Sequence, residues 1–284
     1  MHLVVCIKQV PDSTQIRVHP VTNTIMRQGV PTIINPYDLF ALEAALRLRD
    51  RLGGEVTVLT MGPPMAEESL RKALTFGADR AVLLTDRFFA GSDTLATSYA
   101  LAMAVKKIGE IWGAPEIVFT GKQTIDGDTA QVGPGIARRL GLNQLTYVAA
   151  IDDIDIDAGT IAVSRRAEGG VQALSTQLPA LITMLEGSSE IRRGRLADAL
   201  RAATAEVVVW NAAAAGIEDM LKCGLRGSPT VVKHVFAPKP RAKKADLIDN
   251  KNKSPTELSA TLMAEIFARL PGIEDDLVTH AAQY

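Results

Sequence analysis

Between residues 3 and 141 the chain alternates short apolar runs with stretches of helical periodicity, and this alternation narrows the fold more than any other feature. LVVCIKQV (3–10), EVTVLTMG (55–62), RAVLLTD (80–86) and EIVFTG (116–121) read as buried strands. Between them, PYDLFALEAALRLRDRLGG (36–54), AEESLRKALTFGA (66–78) and SDTLATSYALAMAVKKIG (92–109) carry apolar residues at helical spacing, and DTAQVGPGIARRLG (128–141) continues the series. In the first of these helices the acid comes early, the arginines late, and Gly53 marks the stop. Strands alternating with helices at this spacing predict an α/β fold with a doubly wound, mostly parallel sheet. Ligands on such sheets sit beyond the carboxyl ends of the strands.

Two departures interrupt the series. IRVHPVTNTIMRQGV (16–30) predicts a hairpin turning near Thr22 and Asn23. After residue 145, TYVAAIDDIDI, TIAVSRRAE, GVQALSTQL and ALITML read as strands joined by tight turns, an antiparallel excursion. From about 188 the pattern loses regularity, so the expected division is a nucleotide-binding domain over 1–187 and a C-terminal arm over 188–284. Within the arm, APKPRAKKADLIDNKNKSP is polar and lysine-rich, either a solvated linker or a docking patch for an acidic partner. TELSATLMAEIFARL (256–270) then predicts an amphipathic helix with Thr256 as N-cap, whose apolar face suggests packing on another chain.

Composition excludes several functions. The 284 residues carry a formal net charge of −1, without the basic field that sequence-independent nucleic-acid binding needs. Cys6 and Cys223 are far apart, so neither a disulfide framework nor a zinc spacing is expected, and a reducing, cytoplasmic setting fits. No secretory leader pattern opens the chain, and no apolar run reaches the roughly 20 residues that span a bilayer. GxxxxGK[ST], GxGxxG after the first strand, HExxH and GxSxG are missing, and none of the four histidines has a partner at ligand or triad spacing. A self-contained hydrolase or metalloenzyme is not expected.

Five polar loops remain: KQVPDS (8–13), NPYD (35–38), TMGPP (60–64), AGSDT (90–94) and TGKQTIDGDTAQVGP (120–134). Their convergence on one crevice would suit a large, elongated ligand. In the last loop, residues 127–131 are expected to open a helix whose free N–H groups favour an anion. Gly127 would let backbone approach a pyrophosphate, and Thr129 and Gln131 would add neutral donors. Asp126 and Asp128 are expected to cap the helix or to accept from ribose hydroxyls or an adenine amine, and an ordinary N-cap without a ligand stays open for Asp128.

Taken together, VCIKQVPDS, GVPTIINPYD, VLTMGPP, FGADRAVLLTDRFFAGSDT, GKQTIDGDTAQVGP and LPALITM resemble the beta subunit of electron-transfer flavoproteins over residues 1 to about 236. FAGSDTLATSYAL, CGLRGSPTVV and the GVPTIINPYD hairpin resemble its nitrogen-fixation (Fix-type) branch, whose members bifurcate electrons. The resemblance implies a Rossmann-like adenine-nucleotide-binding fold, paired with an alpha subunit. In the bifurcating branch the nucleotide is a second FAD; in the ordinary branch the same site holds AMP. Adenine and ribose are then expected near Cys6, Asn35, Asp38 and Met61. The pyrophosphate is expected on Asp126, Gly127, Asp128, Thr129, Ala130, Gln131, Val132 and Gly133. Thr94 and Thr97 would lie toward the flavin ring, or else make only local helix bonds. The implied chemistry is hydride transfer from NADH, with electrons passed to ferredoxin or flavodoxin and, through the alpha-subunit flavin, to a quinone-reducing, membrane-associated flavoprotein or iron–sulfur partner. Leu196 in GRLADALRA matches the family's partner-recognition leucine, although Ala197 replaces the usual proline and S-S-E-I-R-R the usual approach. A stand-alone adenine-nucleotide-binding regulator is the alternative of a different class.

Overall fold

The computed structural model describes residues 1–12, 17–18, 25–26, 31–230, 245–251, 253–270, 272–273 and 275–277. Its centre is a nine-stranded sheet. Strands β1 (His2–Cys6), β6 (Glu55–Met61), β7 (Arg80–Leu84) and β13 (Val207–Trp210) lie side by side in parallel, and β8 (Ile117–Gly121) and β12 (Ala180–Met184) continue the parallel set on the other side of β1. The mostly parallel, doubly wound sheet expected from the alternation is present. Chain order advances from β1 to β6 to β7, then crosses back to β8. The topological switch point therefore lies between β1 and β8.

Each crossover helix covers one face. Helices α1 (Pro36–Leu52) and α2 (Glu67–Thr75) pack with Leu3, Val5 and Phe119, while α3 (Thr94–Trp112) and α4 (Val132–Leu140) pack with Val4, Cys6 and Val118 on the other. Alternate residues of β1 thus enter opposite cores, and all five are buried, as a central parallel strand requires. Gly53, with φ 77°, stops α1 by donating to Arg49 O, as its place in the sequence suggested.

Several expectations are corrected. LVVCIKQV is not one strand: β1 ends at Cys6, and β2 (Gln9–Pro11) pairs instead with β5 (Thr32–Ile34) in a separate two-stranded sheet. The chain leaves the main sheet because Lys8 N donates to the Asp38 carboxylate and Lys8 O accepts from Asn35 N. The antiparallel excursion holds for β9 (Asn143–Asp155), β10 (Thr160–Ala167) and β11 (Gly170–Gln177), but β12 returns to lie parallel between β9 and β8. Of the 16–30 hairpin, β3 (Arg17–Val18) pairs antiparallel with β4 (Ile25–Met26), and the expected turn at Thr22 and Asn23 lies outside the described residues.

The chain divides into two compact units, Met1–Phe236 and Ala237–Tyr284. Residues 188–236 fall in the first, through β13 and through α5 (Leu196–Thr204), whose Ala202 joins the α1–α2 core. In the second unit, α6 (Pro255–Arg269) is capped by Ser254 rather than Thr256: Ser254 Oγ accepts from Glu257 N while the Glu257 carboxylate accepts from Ser254 N. Pro255 at the first helical position suits that start. Among the described residues, no helix is long and apolar enough to cross a membrane.

Candidate functional site

Because β1, β6, β7 and β8 are parallel, the segments that follow them meet at one edge of the sheet. At the switch point two buried polar residues knit those segments together. Asp38 Oδ2 accepts from Lys8 N at 2.7 Å and Oδ1 from Gly121 N at 3.1 Å, so one carboxylate ties the ends of β1 and β8. Asn35 Nδ2 donates to Gln123 O at 2.9 Å, and its Oδ1 accepts from Ile125 N at 3.1 Å, which holds the loop after β8. Burial pushes the Asp38 carboxyl up to about 7, against the opposing pull of the hydrogen bonds it accepts. Cys6 is buried beside it, and burial, with the Asp38 charge, raises its thiol to about 12. The polar atoms of Asn35 and Asp38 are therefore spent on the protein's own backbone, where they set the shape of the crevice. Met61, half-buried at the end of β6, packs against the α3–α4 core.

The loop after β8 differs from expectation in three respects. First, α4 begins at Val132, not at 127–131. Asp128 (φ 51°) and Ala130 (φ 55°) occupy the left-handed region, through which a helix of L-residues cannot run. Second, neither acid caps the helix, since Gln131 holds the N-cap position and makes no side-chain capping bond. Asp128 Oδ1 accepts from Gln123 Nε2 at 2.7 Å, and Asp126 receives Lys8 Nζ at 2.8 and 2.7 Å on its two oxygens. Third, a lysine from another loop, Lys8, stands against one of the acids. Desolvation alone would raise Asp126, but the Lys8 bonds outweigh it and hold its carboxyl below the usual range. Lys8 was passed over because it stands in a different loop, 118 residues from its partner; its position two residues beyond the central strand was the available signal.

These turns leave a set of free donors. Gly127 N and Asp128 N are used internally, both donating to Thr124 O. Among the described residues, the N–H groups of Thr129, Ala130 and Gln131 donate to nothing. Left-handed residues on either side of Thr129 curl successive N–H groups into a concavity of the kind that binds anions. Gly133 contributes packing rather than approach: a Cβ there would lie 2.8 Å from Thr120 Oγ1 and 2.9 Å from Thr183 Cγ2. Its missing side chain seats α4 against the ends of β8 and β12.

Thr94 joins the far wall to this loop, because its hydroxyl donates to Gln131 Oε1 at 2.9 Å. Asp93 caps α3 by accepting from Leu95 N and Ala96 N and also holds Thr230 N, which binds AGSDT to CGLRGSPT. Thr97, one turn on, is half-buried, and its N–H donates to Asp93 O. Lys122, the residue after β8, stands 4.7 Å over the Tyr37 ring and pairs with Glu186; sequence reasoning did not single it out. Leu196, at the start of α5, is 77 % exposed.

Residues 22–215 match the electron transfer flavoprotein domain. The chain is 74 % identical over 284 residues to Protein FixA of Azorhizobium caulinodans, covering all of both chains, and 62 % identical over 281 residues to Protein FixA of Azotobacter vinelandii, covering 99 % of this chain and all of the other. It is 46 % identical over 233 residues to the electron transfer flavoprotein subunit beta of Clostridium acetobutylicum, covering 82 % of this chain and 86 % of that one. The chain belongs to the electron-transfer flavoprotein family, as a chain of the beta-subunit type.

Proposed function

We propose that the chain is the beta subunit of a heterodimeric, electron-bifurcating flavoprotein that supplies reductant for nitrogen fixation. On this reading its crevice holds FAD, with the adenylate half at the β1–β8 switch point. The observation that carries the binding mode is the concavity of free N–H groups at Thr129, Ala130 and Gln131, a cradle for a pyrophosphate made from backbone. The acids fit beside it, since Lys8 neutralises Asp126 and Gln123 bonds Asp128. The FAD would supply hydride acceptance from NADH and one-electron transfer.

The chain's own residues bind and orient. Asn35 and Asp38 hold the loop backbone, Cys6 and Met61 wall the adenine side, and the spare lone pairs of Asp126 and Asp128 face the sugar. Thr94 and Thr97 line the wall along which the ring would extend. No side chain here is asked to move a proton. On the same reading, residues 237–284 pack on the alpha subunit. Leu196 meets the quinone-side membrane-associated partner, ferredoxin or flavodoxin takes the low-potential electron, and the complex works in the cytoplasm.

The test is cofactor content of the chain co-purified with its alpha subunit. Two FAD per heterodimer, with direct reduction by NADH, is the expected result. One FAD plus AMP would replace this reading with an ordinary, non-bifurcating beta subunit.

A further inference from the structure

The approach to Leu196 is held more rigidly than an exposed loop requires. Arg192 reaches back to the buried Glu43 carboxylate at 2.8 Å and to Asp50 at 2.7 Å, and Arg47 donates to Glu190 O at 2.8 Å. Gly194 lies so close to Thr75 O that a Cβ there would overlap it. Glu43, by desolvation opposed and outweighed by its bonds from Arg192 and Arg47, keeps a carboxyl below its ordinary range, so this clamp stays charged. Arg193 and Arg195 take no part in it. Among the described residues their side chains make no hydrogen bond or ion pair, although Arg195 O accepts from Ala199 N and each residue flanks a fixed backbone.

Both line a cleft of about 110 Å³ together with Arg49, Arg192, Asp50 and Asp198, four arginines against two aspartates. Phe76 also lines a second hollow of about 470 Å³, whose wall is mainly apolar, with Ile33, Ile34 and Leu39, and carries Glu68 and Lys72. Lys72 stands 5.5 Å over the Phe76 ring at the junction. Arg49 and Arg192 are paired with carboxylates, so the uncompensated charges of the cleft are those of Arg193 and Arg195, and Phe76 sets them beside the mainly apolar hollow on the face formed by α1, α2 and α5.

We propose that this cleft and groove dock a segment of a partner protein in which acidic residues adjoin large apolar ones, the acids meeting Arg193 and Arg195 and the apolar side chains entering over Phe76 toward Ile33. Held backbone with free charges is a pre-organised half of an interface, whose ordering cost is already met before the partner arrives. The proposal rests on the reading of Leu196 as a partner contact and adds a second, separable contact with its own charge requirement. Leu196 does not line the cleft.

The experiment uses the heterodimer and a fluorescein-labelled probe peptide of four glutamates followed by leucine and tryptophan, with a four-lysine version as control. Saturable binding of the acidic probe alone is expected, weakened about tenfold or more in R193E/R195E and as salt rises. I33S should weaken it several-fold through the apolar part, and L196S should leave it unchanged while lowering electron transfer to the partner. Equal binding of both peptides, or acidic binding indifferent to R193E/R195E, overturns the proposal without touching the reading of Leu196. Loss of the alpha subunit from R193E/R195E on gel filtration also overturns it, because the cleft would then belong to the subunit interface.

Discussion

At the residue scale, Asp38 carries the pH dependence. Its folded pKa is about 7, above the carboxylate value of the unfolded chain near 3.8, so the folded state binds the proton more tightly. Its contribution to stability is complete below the unfolded value and is lost as pH rises through about 7. Melting temperature should therefore fall from pH 5 to 7.5, and the slope should flatten in Asp38→Asn. An unchanged slope in that variant would assign the pH dependence to another group. Asn can accept only one of the two backbone N–H bonds, so the variant should also lose about 1–3 kcal/mol. The glycines divide in the same way. Gly133→Ala must push Thr120 or Thr183 aside and should cost about 1–3 kcal/mol in denaturant titration. At Gly127 a Cβ would meet only Thr124 Oγ1 at 3.3 Å, so Gly127→Ala should fold with nearly wild-type stability.

At the element scale, the Arg192 clamp decides whether the loop before α5 is fixed. Arg192→Met leaves the buried Glu43 with Arg47 alone, and we expect about 1–3 kcal/mol of lost stability. Hydrogen exchange of residues 190–195 should quicken, while β1 and β8 stay protected; unchanged exchange would mean that other contacts hold the loop. This clamp was invisible in the sequence because Glu43 and Arg192 are 149 residues apart. What periodicity reports is local, and the helices and parallel strands were legible for that reason. The failures share one cause. Strand β1 stops at Cys6 because Asp38 captures Lys8 N, and α4 starts late because Asp128 and Ala130 turn left-handed, and apolar periodicity reports neither. The polarity of the loop was legible in the sequence, but the pairing of Asp126 with Lys8 needed the fold.

At the scale of the whole molecule, residues 1–236 form a unit with its own two cores. A chain truncated at Phe236 should melt at nearly the temperature of the full chain. In residues 237–284, Leu247, Leu262, Met263 and Leu270 stand exposed. The truncated chain should therefore co-purify with much less alpha subunit, and an undiminished yield of heterodimer would show that the arm is dispensable for pairing. Full-length chain made alone should aggregate for the same reason, as light scattering against the co-expressed pair would show.

The strand order also sets a timetable for synthesis. Among the strands of this sheet β1 is translated before the others, yet its neighbours β6 and β8 are encoded at 55–61 and 117–121, and β12 and β13 complete the parallel set at 180–184 and 207–210. The first-made of these strands thus lies in the middle of the sheet and must wait unpaired while its flanks are translated. Long-range parallel pairing is slow even once the residues exist. A message cut short between residues 121 and 180 would release a chain whose β8 has an open edge where β12 belongs, and such a product invites edge-to-edge association. Cells making this protein have reason to keep its translation uninterrupted and a chaperone close to the exit tunnel.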